Sequence, residues 1–184
     1  MDTTTFKSKA SKKFIVSFVV IALVILSIIL FFVFRNFEKK NDAITTFTSN
    51  DSSFSLSIYD SFGFSEHNDN DYVLALKSEN SNAGIYVSKV STNNVRDFRK
   101  YIEADKNDYI SKFSNISQVS EISEYTLQSL PVYNYHFNYR ESMYVDVYWI
   151  LKDSEFYVID FSIDKNTEDL SYRIGEILNS LKFI

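Results

Sequence analysis

Two histidines, His67 and His136, and no cysteine bound the chemistry open to this chain of 184 residues. Without a thiol there is no disulfide scaffold, no thiolate metal site and no cysteine nucleophile. His136 stands in the alternating run 132–139, on the strand face that also carries Val132, Asn134 and Asn138. In the simplest registers of the two short turns that follow, Asp160 and Ser162 of a third strand share that face, with Val147 and Val145 of the middle strand between. Asn134, His136, Asp160 and Ser162 are thus the candidate ligand-binding cluster, the floor of a polar pocket. Ordinary structural hydrogen bonding is the bland reading of these four residues. The sharp one is a hydrolase using Ser162, His136 and Asp160, which needs a hydrogen-bonded Ser–His–acid chain and an oxyanion hole. Groups separated by an intervening strand do not make such a chain directly.

His67 lies in the acidic loop 66–71, whose oxygens are of the kind that hold calcium. The turn glycine and the later bidentate Glu of a helix–loop–helix calcium site are missing, so a solvated loop is expected, with no metal. Three glycines in the whole chain leave no phosphate-cradling loop, and neither a zinc-hydrolase helix motif nor a nucleophile elbow is present. No catalytic residue and no cofactor are expected.

The elements that would position the cluster follow from periodicity. Alternation in 54–58 predicts a strand, and 72–77 and 84–90 predict a hairpin joined by the loop 78–82. The period then changes: Val95, Phe98, Ile102, Tyr109, Ile110 and Phe113 recur at helical spacing over 94–113, with Asn93 or Asn94 as cap. An extended segment over 116–127 leads to three strong strands, 132–139, 143–151 and 156–163, whose short turns impose an antiparallel meander. Tyr133, Tyr135, Phe137 and Tyr139 are expected beside Tyr144, Tyr148, Tyr157 and Phe161 on the second face, as core or as a recognition surface. Because both faces carry large side chains, helices should cover both at least in part. A closing helix over 167–180 puts Leu170, Ile174, Ile177, Leu178 and Leu181 on one stripe, with Asn166 or Thr167 as cap.

Ahead of this domain runs an unbroken apolar stretch that opens at Phe14, closes at Phe34 and has only Ser17 and Ser27 as polar members. As a helix it would extend roughly 31 Å, enough for a hydrocarbon core of about 30 Å. It exceeds a signal-peptide h-region and is followed by no small-residue cleavage site, so an uncleaved signal-anchor over 14–34 is expected. Lys7, Lys9, Lys12 and Lys13 precede it and Arg35, Lys39 and Lys40 follow, which favours a cytoplasmic segment 1–13 and an extracytoplasmic carboxy-terminal domain. Residues 35–50 read as a tether and 51–184 as one domain. The first forty residues hold seven Lys/Arg and two Asp/Glu, the remainder 12 and 22, so the domain is strongly acidic. Such a domain repels nucleic acid, leaving the membrane, an envelope protein or a small ligand as partners.

The resulting order is three strands, a helix, four strands, a helix. With the opening 54–59 leading to Phe62, Gly63 and Phe64, the aromatic meander, and the last helix ending in Leu178, Asn179, Ser180, Leu181, Lys182 and Phe183, it resembles the PsbP-like α/β/α sandwich. The resemblance covers about 52–184, although Asp60 and Ser61 stand where such domains commonly have proline. It implies an α+β fold, an antiparallel sheet of about six to seven strands flanked by two helices. It also implies a non-catalytic accessory or binding role, as in photosystem II extrinsic proteins and membrane-anchored bacterial relatives.

Overall fold

The computed structural model describes residues 24–27, 42–140, 142–164 and 168–184. The chain divides into two units, Met1–Asp42 and Ala43–Ile184. Of the first, residues 24–27 are helical and exposed. No helix among the described residues is long and apolar enough to cross a membrane; the span expected over 14–34 lies, apart from those four residues, outside them.

The second unit begins earlier than expected. Residues read as the end of a tether form strand β1 (Ile44–Thr48), which pairs antiparallel with β2 (Phe54–Tyr59). A single apolar side chain, Phe47, anchors β1 in the core, too little for a period to register in the sequence. The other strands are β3 (Phe64–Glu66), β4 (Leu74–Ser78), β5 (Gly84–Ser91), β6 (Ile116–Ser117), β7 (Ser123–Leu127), β8 (Leu130–Tyr139), β9 (Met143–Lys152), β10 (Glu155–Asp164) and β11 (Lys182–Phe183). Helix α1 (Phe98–Ser111) stands between β5 and β6, and α2 (Glu168–Asn179) between β10 and β11.

The expected single sheet of six to seven strands is instead two antiparallel sheets. One is three-stranded, in the order β1-β2-β11; the other runs β3-β4-β5-β10-β9-β8-β6, with β7 also paired to β8, making eight strands. The opening strand β2 takes its partners from β1 and β11, and β3 and β11 are too short to read from sequence. The extended segment over 116–127 is broken into β6 and β7. Helix α1 starts later than the cap at Asn93 or Asn94 would have it, because Asp97 accepts a hydrogen bond from the Lys100 amide at 3.0 Å. The alternative caps of α2, Asn166 and Thr167, lie outside the described residues.

Both faces of the large sheet are covered. Ile102 of α1, fully buried, packs with Tyr135, Phe137, Val147, Trp149 and Phe156 on one face. On the other, Leu170, Ile174, Ile177 and Leu178 of α2 join Phe54, Leu56 and Ile58 of the small sheet over Ile150, Ile159, Phe161 and Ile163. Burial of these apolar side chains drives the assembly, each contributing roughly 1.5–3 kcal/mol.

One register decides the candidate cluster. Tyr139 pairs with Met143 across a three-residue turn in which Arg140 has φ 56°, so Asn134 faces Tyr148 and His136 faces Asp146. The simplest reading was off by one residue, and a slip of one moves every side chain of a strand to the opposite face. With Asp160 opposite Val147 and Ser162 opposite Val145, Asp160 and Ser162 lie on the α1 face while Asn134 and His136 lie on the α2 face. The aromatic residues divide likewise: Tyr133, Tyr135, Phe137 and Tyr139 face α1, and Tyr144, Tyr148, Tyr157 and Phe161 the other side.

Candidate functional site

The four expected residues therefore separate into two pairs, each with new neighbours. Asn134 donates to the Asp146 carboxylate at 2.6 Å, and the Tyr148 hydroxyl donates to its other oxygen at 2.7 Å. Burial pushes the Asp146 carboxyl up, while Tyr148, Asn134 and then His136 oppose that shift. The His136 ring lies against Tyr144 at a centroid distance of 5.4 Å, and its backbone amide donates to Ser120 Oγ at 2.9 Å. Both Asp146 oxygens are satisfied, so this network is a finished structural unit.

Asp160 is different. It stands in the middle of β10, opposite Tyr86 of β5 and Val147 of β9. Its Oδ1 is enclosed and has no hydrogen-bond partner. Burial, reinforced by the nearby Asp105 charge, pushes its carboxyl up to about 7, with a hydrogen bond from the Tyr109 hydroxyl to the carboxyl pulling the other way. Yet the residue keeps partial contact with solvent. It lies on the half-exposed stretch of this sheet face, with Tyr86, Ser88 and Ser162.

Four elements surround Asp160. Helix α1 puts Tyr109 seven residues beyond Ile102 and Asp105 three beyond it, so all line the side turned to the sheet. The loop after β3 supplies Tyr72, pinned where the Val73 amide donates to the Val87 carbonyl at 2.8 Å. Tyr86 comes from β5 and packs against Tyr72 at a tilt of 47°, with centroids 5.1 Å apart. Tyr135 of β8 closes the deep end, 1% exposed. Burial weakens the acidity of Tyr72, Tyr109 and Tyr135, pushing each pKa above the usual phenol value, and the Asp160 charge adds to each shift. The floor is made of small residues: Gly84 lies opposite Ser162, and a methyl at Gly84 would come within 2.5 Å of the Tyr86 ring. Tyr86 thus lies down along its own strand over Gly84, leaving Ser88, Asp160 and Ser162 half-exposed beside it.

Tyr72 is also a wall of an open cleft of about 340 Å³, lined by Asn50, Asp51, Asn68, Asp69 and Asn70. Its carboxylate Asp51 is engaged: burial works against its charge, but hydrogen bonds from Ser53, Ser49 and Lys89 hold it well below the usual carboxylate range. Among the described residues no group of three or more His, Cys, Asp or Glu side chains is arranged to hold a metal ion.

The arrangement of helix and sheets matches proteins of known structure. The solution structure of cyanobacterial PsbP (CyanoP) from Synechocystis sp. PCC 6803 superimposes with a TM-score of 0.58 at 6% identity, over 78% of this chain and 94% of that one. The fold is PsbP-like. A crystal structure from Bacteroides thetaiotaomicron VPI-5482 gives a TM-score of 0.52 at 12% identity, over 76% of this chain, which spans 48% of that protein. No family model and no curated protein matches the sequence. The PsbP-like order of elements was legible before the structure; the groove was not. Its members come from five separate elements, and the one sequence signal was an acid, Asp160, in the middle of the apolar β10.

Proposed function

We propose that this chain is a single-pass membrane protein of the bacterial cell envelope, anchored by residues 14–34, whose extracytoplasmic PsbP-like domain works by binding and not by catalysis. The groove around Asp160 is its binding site. One observation carries the non-catalytic reading: Ser162 and Asp160 stand on the face of the sheet opposite His136, so the Ser162–His136–Asp160 set cannot be wired together. A carboxylate left with an unpartnered oxygen among tyrosines, on a half-exposed stretch of the sheet, is the kind of site where binding is bought at the expense of stability. The lysines ahead of residue 14 and the acidity of the domain support the outward orientation.

Because the chain has no cysteine, a single engineered thiol reports topology without background. Asn80 is exposed in the loop between β4 and β5. With Asn80→Cys, a membrane-impermeant maleimide is expected to label intact cells as fully as lysed ones. Labelling confined to lysed cells would place the domain in the cytoplasm and overturn the envelope reading.

A further inference from the structure

Resting on the reading of the Asp160 groove as a binding site, we infer that its ligand presents a primary ammonium group, which Asp160 receives as counter-ion and hydrogen-bond acceptor between Tyr72, Tyr86 and Tyr109. The charge of the groove selects the sign. Among the described residues, the groups that chiefly act on Asp160, Tyr72 and Tyr109 are Asp105, Asp69, Asp71 and the tyrosines themselves, all acidic or phenolic, while the cation packed on Tyr135, Lys106, already donates to the Ser120 carbonyl. An anion would meet this field unfavourably, and a neutral ligand would leave the carboxylate desolvated and unpaired.

The polar atoms select the kind of cation. A metal ion would need several oxygen donors at coordination distance, and no cluster of three His, Cys, Asp or Glu side chains is available among the described residues. What the groove offers is one carboxylate oxygen without a donor, the hydroxyl oxygens of Ser162 and Ser88 on the same face, and aromatic rings. A primary ammonium carries three donors and no acceptor, and an aromatic ring attracts it further. The same sheet face already holds such a group: Lys106 Nζ lies 5.7 Å from the Tyr135 centroid and donates to the Ser120 carbonyl at 2.6 Å. A quaternary ammonium would satisfy the charge but leave Oδ1 without a donor.

Ligand binding favours the ionised carboxylate, so affinity should rise with pH towards about 7 and level off above it. The titratable groups on this side of the sheet are Asp105, Tyr109 and, packed on Tyr135, Lys106 from α1, with Tyr72 from the loop, Tyr86 from β5 and Tyr135 from β8. Only the carboxyls among them change charge in that range.

The test is isothermal titration of the purified full chain in detergent micelles at pH 8 with n-propylammonium, tetramethylammonium and neutral n-propanol, corrected for empty micelles. Saturable binding is expected for n-propylammonium, weaker by at least about tenfold for tetramethylammonium, undetectable for n-propanol, and weaker by at least about tenfold in Asp160→Asn. Repeating the titration with lysine blocked at both ends separates the two sources of the group: tighter binding than n-propylammonium assigns a lysine side chain, weaker binding a free small amine. Equal binding of n-propanol and n-propylammonium would overturn the ammonium assignment while leaving the groove a binding site. No saturable binding of any probe overturns the assignment as well, and the binding-site reading then rests on the stability of Asp160→Asn described below.

Discussion

His136 and Asp146 face each other across β8 and β9, so the imidazole shares a sheet face with that carboxylate and not with Asp160. The two acids, one strand apart in β9 and β10, have opposite situations. Asp146 has a donor on each oxygen, whereas Asp160 has an oxygen with none.

Asp146 should therefore behave as a structural group. Replacing it by alanine strands the Tyr148 hydroxyl and the Asn134 amide, and is expected to cost about 2–3 kcal/mol of unfolding free energy. In a double-mutant cycle of Asp146→Ala and Tyr148→Phe, the coupling should be about 1–2 kcal/mol, measured by urea denaturation. Independent, additive losses would contradict the network.

Gly84→Ala tests the floor of the groove. The added methyl meets the far end of the Tyr86 side chain and no backbone, so the ring can move aside. Stability should change by less than about 1 kcal/mol, while the near-ultraviolet circular dichroism of the packed Tyr72–Tyr86 pair changes and n-propylammonium affinity falls. An unchanged aromatic signal would mean that Tyr86 does not lie over Gly84.

Lys106 is a buried cation whose stem packs under α1 while its ammonium is spent on Ser120. Lys106→Met keeps the stem and loses the bond, an expected cost of about 1 kcal/mol; Lys106→Ala loses both, about 2–3 kcal/mol. Equal losses in thermal unfolding would show that the ammonium contributes nothing.

The sequence carried the pattern of α1, α2 and the β8–β9–β10 meander because each has a long, strong period. Strand β1 escaped because it buries only Phe47, and β3 because three residues make no period. The site was misplaced for a different reason. The expected register set Asn134 and His136 beside Val147 and Val145, one residue from the pairing that joins Tyr139 to Met143, and that single step puts His136 and Asp160 on opposite faces. Tyr72, Tyr86 and Tyr109 meet only through tertiary packing, so no spacing along the chain could have joined them to Asp160.

Stability should also fall as the pH rises. The folded-state acidities of Asp160 and Asp146 are both weakened by burial, so the folded protein holds their protons to higher pH than the unfolded chain does. That contribution is complete below about pH 4 and is lost as pH climbs through about 7, where Asp160 ionises. Urea midpoints from pH 4 to 8 should decline across this window, and a flat or rising profile would argue against a desolvated carboxyl.

The most direct test of the account is the unfolding free energy of wild type and Asp160→Asn at pH 8, measured on the full chain in detergent micelles. If Asp160 is kept for binding, its ionised carboxylate, desolvated and with Oδ1 left without a donor, destabilises the fold, and the variant should be more stable by roughly 1–3 kcal/mol, with the difference vanishing near pH 4. A variant less stable than wild type at pH 8 would make Asp160 a structural residue and contradict the binding site.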